Sequence, residues 1–391
     1  TIADFDGDLD PDVFIVTGQK HPSGVGLVDS YSLEASIGVG PGVENGITFD
    51  SNGLVTFSIE AKDDFNDPNF FYIGSSGWHP GSVPFTLDAS DPSVVGIYPH
   101  DPALQGGVFI GYDPSQQQWQ LLVSSLRNDS AGAYFEVSST TTINNPQLVL
   151  LEPEDLPRKP ELLMNVGGTF LAEGGIRGFN EKIQCVSVVS GDFDNDGDPD
   201  LYLVCRDGVQ NLANKLYENL GAGTFAEVVT DHGAYGIQGF HLADGAGLGE
   251  SVVTADYDAD GCLDFFVTNG LPMRPLRHDS GPDQIFRNAC NYGNHWVEVD
   301  LRGNWPEAGG ANPDGVGATV YVTAGGITQM REQNGGHHRW SQNHQRLHFG
   351  LGTDSAIDEL KVVWPNGTVD IFQGDIPADR IYLAQEGATE L

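Results

Sequence analysis

Positive charge is scarce in this chain. Eighteen lysines and arginines stand against 55 aspartates and glutamates, a formal net charge of −37 over 391 residues. Nucleic acid and anionic membranes are held through Lys and Arg, so neither is an expected partner. No run of about 18 apolar residues occurs, which leaves no candidate for a membrane-spanning helix. Methionine appears three times, and no long stretch repeats its apolar residues at helical spacing. Also missing are a G-x-S-x-G elbow, an H-E-x-x-H zinc motif and a phosphate-binding loop, so no catalytic motif argues for an enzyme. The glycine run Gly38-Val39-Gly40-Pro41-Gly42 opens no helical pattern and reads as a loop. No leader-like segment precedes Thr1, which reads as a mature or trimmed product.

What is abundant points one way. Fifty-one glycines, 22 prolines and a hydrophobic fraction of 39% suit a turn-rich all-β protein with real cores rather than a disordered acidic tail. The strong acidity favours a calcium-rich, saline setting.

The acids are concentrated in three loops of one design. They read Asp4-Phe5-Asp6-Gly7-Asp8-Leu9-Asp10-Pro11-Asp12, Asp192-Phe193-Asp194-Asn195-Asp196-Gly197-Asp198-Pro199-Asp200 and Asp256-Tyr257-Asp258-Ala259-Asp260-Gly261-Cys262-Leu263-Asp264. Carboxylates at the first, third, fifth and ninth positions converge when the chain turns tightly. Only a hard cation makes that favourable, and calcium takes about six to eight oxygens in irregular geometry. Without it, like charges repel and raise one another's pKa values. The flanks, Val186-Ser187-Val188-Val189 and Leu201-Tyr202-Leu203-Val204, are strand-like, and Leu203 stands where an EF-hand needs glutamate. Each loop is therefore expected to join two strands.

Ligand roles follow from position. Asp192, Asp194, Asp196 and Asp200 offer side chains and Asp198 its backbone carbonyl; Asp256, Asp258, Asp260 and Asp264 correspond, with Cys262 at the carbonyl position. The first loop offers Asp4, Asp6, Asp8, Asp10 and Asp12, but Leu9 replaces the glycine that Gly197 and Gly261 supply for a positive-φ turn. Two to three calcium ions are expected.

The four cysteines are even in number. Cys185 and Cys205 flank the second loop symmetrically about Asn195, which makes a cross-strand disulfide natural; Cys262 and Cys290 would then pair by elimination. The alternative is four buried thiols, since connectivity is not written in a sequence. Paired cysteines beside calcium loops point to an extracellular or periplasmic compartment.

A second repeat accompanies each loop: Leu162-Leu163-Met164-Asn165-Val166-Gly167-Gly168-Thr169-Phe170, Leu216-Tyr217-Glu218-Asn219-Leu220-Gly221-Ala222-Gly223-Thr224-Phe225, and an eroded Ile285-Phe286-Arg287-Asn288-Ala289-Cys290. Each is a strand, an Asn/Gly turn and a second strand. This pairing of loop and hairpin resembles the FG-GAP/VCBS repeats that form the blades of calcium-binding β-propellers. Residues 294–387, with Asn294-His295-Trp296-Val297, Leu347-His348-Phe349-Gly350-Leu351-Gly352 and Val362-Val363-Trp364-Pro365-Asn366-Gly367, resemble the ASPIC/UnbV domain of the cartilage acidic protein group. The resemblance implies a secreted, calcium-dependent matrix or adhesion protein with no defined chemistry.

The expected fold is all-β: calcium-loop propeller-type blades, an inserted β-sandwich and a small C-terminal β domain. The boundaries read as 1–44 for the start of the first unit, 45–152 for the sandwich, 153–291 for the blades and 292–391 for the end domain. Closed propellers need about four to eight blades. With three loops and only Thr1-Ile2-Ala3 before the first, either the chain is a piece of a longer propeller or a neighbouring copy completes it, giving an oligomer or filament. The function expected is structural or adhesive work in a surface or matrix assembly.

Two alternatives stay open. Trp78, Tyr112 and Trp119 in the insert could stack on sugar rings, though such residues more often fill a core. Some sugar lyases and dehydratases carry related propellers. His337, His338, His344 and His348 match no common zinc spacing and read as surface or hydrogen-bonded residues. Asn128-Asp129-Ser130 and Asn366-Gly367-Thr368 are glycosylation sequons.

Overall fold

The computed structural model describes residues 1–18, 23–61, 67–126, 131–151, 156–229, 233–240, 245–270, 281–290, 293–307, 309–334 and 341–391. Among them the chain is all-β, with strands broken by turns and two short 3-10 turns, Pro68–Phe70 and Pro92–Val94. None of the described helical segments is long and apolar enough to cross a membrane.

Three antiparallel sheets are propeller-type blades. The first runs Ile2–Ala3, Asp12–Ile15, Glu161–Val166, Thr169–Ala172, and the second Cys185–Gly191, Asp200–Cys205, Lys215–Asn219, Phe225–Glu227. In the third, three described strands pair: Leu248–Ala255, Asp264–Gly270 and Gln284–Phe286. Each Asp loop spans the first and second strands of its blade, as the flanking alternation implied. Cys185 and Cys205 sit directly opposite each other and form a disulfide, as do Cys262 and Cys290 away from the ladder.

The sandwich interrupts the first blade between its second and third strands. Glu161 pairs with Ile15, Leu162 with Phe14 and Leu163 with Val13, so the blade resumes in register as soon as the insert ends. Two five-stranded sheets make the sandwich. Their shared core holds Phe49, Phe57, Phe71, Trp119 and Phe135. One sheet includes Gly24–Asp29 and Ser32–Val39, so the insert takes in strands that lie before the expected boundary at residue 45. Leu33, Ala35, Ile37 and Val39 alternate and are buried, but the Ser and Gly residues between them dilute the apolar signal. Trp119 and Tyr112 belong to this core, whereas Trp78 is partly exposed.

The C-terminal domain packs a three-stranded sheet on a four-stranded one around Val297, Val299, Val320, Val322, Leu360 and Trp364.

Blade-to-blade packing has a repeated basis. The aromatic at the second position of the first two loops leaves its own blade and enters the next. Phe5 meets Phe225 edge-on at 5.6 Å, and Phe193 meets Phe265 at 4.6 Å. Both phenylalanines are buried, and edge-to-face pairs add to the area they remove from water. Tyr257, at the equivalent place in the third loop, is 55% exposed.

Candidate metal centres

Each loop wraps its backbone around its first aspartate. Asp4 Oδ1 accepts from the N–H groups of Gly7 and Asp8, at 2.9 and 3.1 Å, and Oδ2 from Leu9 at 3.0 Å. Asp192 accepts from Asp196 and Gly197 at 3.1 and 2.8 Å, and Asp256 from Asp260 and Gly261 at 3.1 and 2.8 Å. The fifth position tightens the turn further, with Asp8, Asp196 and Asp260 accepting from the N–H two residues on at 2.9, 3.0 and 3.2 Å. Closing this turn demands left-handed backbone at two places. The sixth residue has φ of 106° at Gly197, 91° at Gly261 and 70° at Leu9, so Leu9 carries the strain its Cβ implies. The fourth residue is also left-handed, with Ala259 at 56°, a position the sequence pattern did not single out.

The consequence is convergence. Asp4, Asp6 and Asp8 bring one carboxylate oxygen each within 4.8 Å of the others, as do Asp192, Asp194 and Asp200, and Asp256, Asp258 and Asp260. Asp10 and Asp198, at the seventh position, stand outside these groups. Asp196, Asp12 and Asp264 also stand outside them.

The ninth residue instead clasps the blade. Asp12 accepts from Phe5 and Asn165 N–H at 2.9 and 2.7 Å; Asp200 from Phe193 and Asn219 at 2.9 and 2.8 Å; Asp264 from Tyr257 and Asn288 at 3.2 and 2.7 Å. Each carboxylate thus ties its loop to the following hairpin. The hairpin asparagine extends the tie to the preceding blade. Asn219 Nδ2 donates to Phe5 O at 2.9 Å, and Asn288 Nδ2 to Phe193 O at 2.6 Å. Sequence reasoning passed over these asparagines, although their recurrence at one place in the hairpin repeat was visible.

The C-terminal domain sits on the second and third loops. Gly350 N–H donates to Asp192 Oδ2 at 3.1 Å, Gly352 N–H to Asn195 O at 2.8 Å and Asn294 Nδ2 to Asp194 O at 2.9 Å. His348 is buried, and its Nε2–H donates to Gly261 O at 3.1 Å; burial lowers its pKa to about 4, so it stays neutral. His344 Nδ1 accepts from the N–H of Arg346 at 3.2 Å. The hydrogen-bonded reading of the histidines therefore holds for these two; His337 and His338 lie outside the described residues. A cavity of about 140 Å³ opens at the junction, lined by Asp4, Asp192 and Asp256 from the loops and by Glu298, Arg331 and Arg346 from the end domain.

Electrostatics make the loops costly as they stand. Burial pushes the Asp192 carboxyl up to about 8 and Asp194 to about 6, with the neighbouring loop carboxylates adding repulsion. Asp12 and Asp264 rise to about 6, and Asp4, Asp6, Asp198, Asp200 and Asp256 also rise, in each case mainly by desolvation. Asp6 Oδ1 is buried with no hydrogen-bond partner. Oxygen donors gathered at this spacing, with one such atom left over, suit a hard divalent cation.

Of the sequons, Asn128 lies outside the described residues. Asn366 Nδ2 is engaged, donating to Gly309 O at 2.7 Å and Glu386 Oε1 at 2.6 Å.

Comparison with known proteins places these features. Residues 192–267 match an FG-GAP-like repeat, and residues 308–391 match ASPIC and UnbV. Over 185 residues the chain is 28% identical to human cartilage acidic protein 1, a match covering 46% of this chain and 25% of that protein. The mouse protein matches equally, and that of Xenopus tropicalis is 26% identical over 205 residues, 49% of this chain and 27% of its own length. The match spans about a quarter of the length of these curated relatives.

Proposed function

The chain being an FG-GAP-repeat protein with a C-terminal ASPIC/UnbV domain, we propose that it is an extracellular, calcium-stiffened structural or adhesion protein. The three Asp loops each hold one calcium ion, and the ions lock blades and end domain into one rigid unit. The observation that carries this reading is the convergence of Asp192, Asp194 and Asp200, the first and last of them buried, with Arg331 of the end domain acting on Asp192 from one side. When bound, the ion supplies two positive charges; the chain supplies the rest. Asp192, Asp194, Asp200 and the converging aspartates of the other loops bind, the ninth-position aspartates also tie the turn to its hairpin, and Gly350 and Phe193 exclude water from its inner side.

An extracellular or matrix setting is favoured by the two disulfides and by the name of the relatives, cartilage acidic protein 1. Self-association into an oligomer or filament is the partner reading that fits best. Phe170 and Leu171 on the outermost strand of the first blade, and Ile285 on the third, are exposed apolar side chains on sheet edges. A glycan or matrix partner is the alternative, for which the insert presents Trp78 rather than the buried Tyr112 and Trp119.

Equilibrium dialysis of the metal-free chain against calcium tests the claim. About three ions per chain are expected from the three loops. No retained calcium, or retention unaffected by replacing Asp194 and Asp258 with asparagine, contradicts it. Sizing the same samples with and without calcium reads the assembly.

A further inference from the structure

The three loops share a backbone but not a charge. The hairpin asparagine fixes the register, because Asn165, Asn219 and Asn288 each donate their N–H to the ninth-position aspartate at 2.7–2.8 Å. The residue just before it is therefore equivalent in all three blades: Met164, Glu218 and Arg287. Met164 is buried between the first two blades. Glu218 takes this place in the second blade, an acid where the third blade has a base. Arg287 is that base. Its Nε donates to Asp258 Oδ2 at 2.5 Å and its NH2 nitrogen to Asp260 Oδ2 at 2.6 Å. These are the third- and fifth-position carboxylates of the third loop, two of the three that converge there. The guanidinium is a cation already seated on a cation site.

The hairpin that carries it is held in place. Three residues beyond Arg287, Cys290 is bonded to Cys262 at the seventh position of the same loop, and Cys290 Sγ lies 3.6 Å from Asp260 Oδ1. The disulfide fixes the distance between hairpin and loop, so the arginine is presented to the carboxylates rather than left to wander.

We propose that Arg287 is an internal competitor for calcium at the third loop, which makes that loop a weak, exchangeable site. The inference rests on the calcium reading above. Its physical content is simple. An oxygen engaged by a planar guanidinium fork must give up or share that contact before an ion can use it. A unit positive charge beside the site also disfavours a second cation. At the same place the second blade has Glu218, so its hairpin offers no such competitor. Calcium at the third loop then exchanges at concentrations that would keep it filled without the arginine.

The test is calorimetric titration of calcium into the full metal-free chain, with R287Q and E218Q beside the parent. Arg287 is 54% exposed along its side chain, so glutamine there leaves packing intact, and melting curves in chelator verify that. The expected result is a parent isotherm with separated tight and weak steps. R287Q tightens the weak step by about tenfold, a value moderated by solvent screening at an exposed pair. E218Q, at the equivalent place in the second blade, leaves the weak step unchanged in the same assay. Adding Asp258→Asn to R287Q should abolish the tightened step, which assigns it to the third loop. An R287Q isotherm superimposable on the parent's, in a chain that does bind calcium, overturns the inference and leaves the calcium reading standing. Absence of calcium heat in parent and R287Q alike overturns both.

Discussion

The backbone N–H of Gly350 donates to Oδ2 of Asp192 across 3.1 Å, joining the end domain to the first aspartate of the second loop 158 residues earlier. Contact this close needs glycine: a Cβ at residue 350 would lie 2.1 Å from that same oxygen and 2.4 Å from Asn195 Cα. Gly350→Ala should therefore lift the end domain off the loop and cost about 1–3 kcal/mol, the usual range for overpacking. Chemical denaturation measures it, with Gly81→Ala as the control, since a Cβ there meets nothing within 4 Å. Equal stability of the two variants would show that the junction is loose.

A second prediction concerns the asparagine clips. Asn219 is fully buried and donates to Phe5 O at 2.9 Å and Pro199 O at 3.2 Å, bridging two blades and two loops. Asn219→Ala leaves these carbonyls without the amide and should destabilise the chain by about 1–3 kcal/mol in urea unfolding. A change within a few tenths of a kcal/mol would mean that the clip contributes nothing net.

The strained Leu9 offers a gain. Its φ of 70° is one that glycine adopts freely. Leu9→Gly should stabilise the calcium-bound first loop by about 1 kcal/mol, less the entropy glycine loses on ordering. The reading is the calcium-dependent part of the melting shift, which should grow. A loss of stability would show that the Leu9 side chain holds the loop in some other way.

Stability should depend on pH in a sense set by calcium. In the metal-free chain Asp192 sits at about 8 and Asp12, Asp194 and Asp264 at about 6, all above the 3.8 of an ordinary aspartate. Between those limits the folded chain holds more protons than the unfolded one, so these groups stabilise at low pH and the contribution is lost as pH rises through about 6 to 8. In chelator, melting at about pH 8 should fall below melting at about pH 5.5. Calcium takes only ionised carboxylates, so its stabilising shift should be larger at the higher pH. A chelated chain that melts higher at about pH 8 would contradict this account of the loops.

Much of this was legible in the sequence because the loops obey local rules. Alternating Asp with glycine at the turn dictates the wrap around Asp192 and Asp256, and Cys185 and Cys205 announce their pairing by symmetry about the loop. What escaped was non-local. The ninth-position aspartates read only as ligands, yet both oxygens of Asp12 and Asp264 also accept backbone N–H groups, one of them from a hairpin that lies 24 or more residues away. The seating of Gly350 on Asp192 depends on the backbone of a distant domain, and nothing near either residue signals it. The start of the insert was misplaced because Ser32–Val39 hides a core strand among small residues. Arg287 was on view within the eroded repeat, but its meaning needs the register that only the folded blades supply.

The central claim is that calcium, gathered by Asp4, Asp192, Asp256 and their neighbours, holds blades and end domain together. The most direct measurement is the thermal melt of the full chain in calcium and in excess chelator, followed at once by particle size. An ion bound only by the folded state stabilises it by about 2.7 kcal/mol at a hundredfold excess over its Kd, so filled loops should raise the melting temperature by several degrees or more. A large fall in chelator is the result predicted here. Coincident melts would contradict it and leave the Asp loops as acidic turns closed by their own hydrogen bonds.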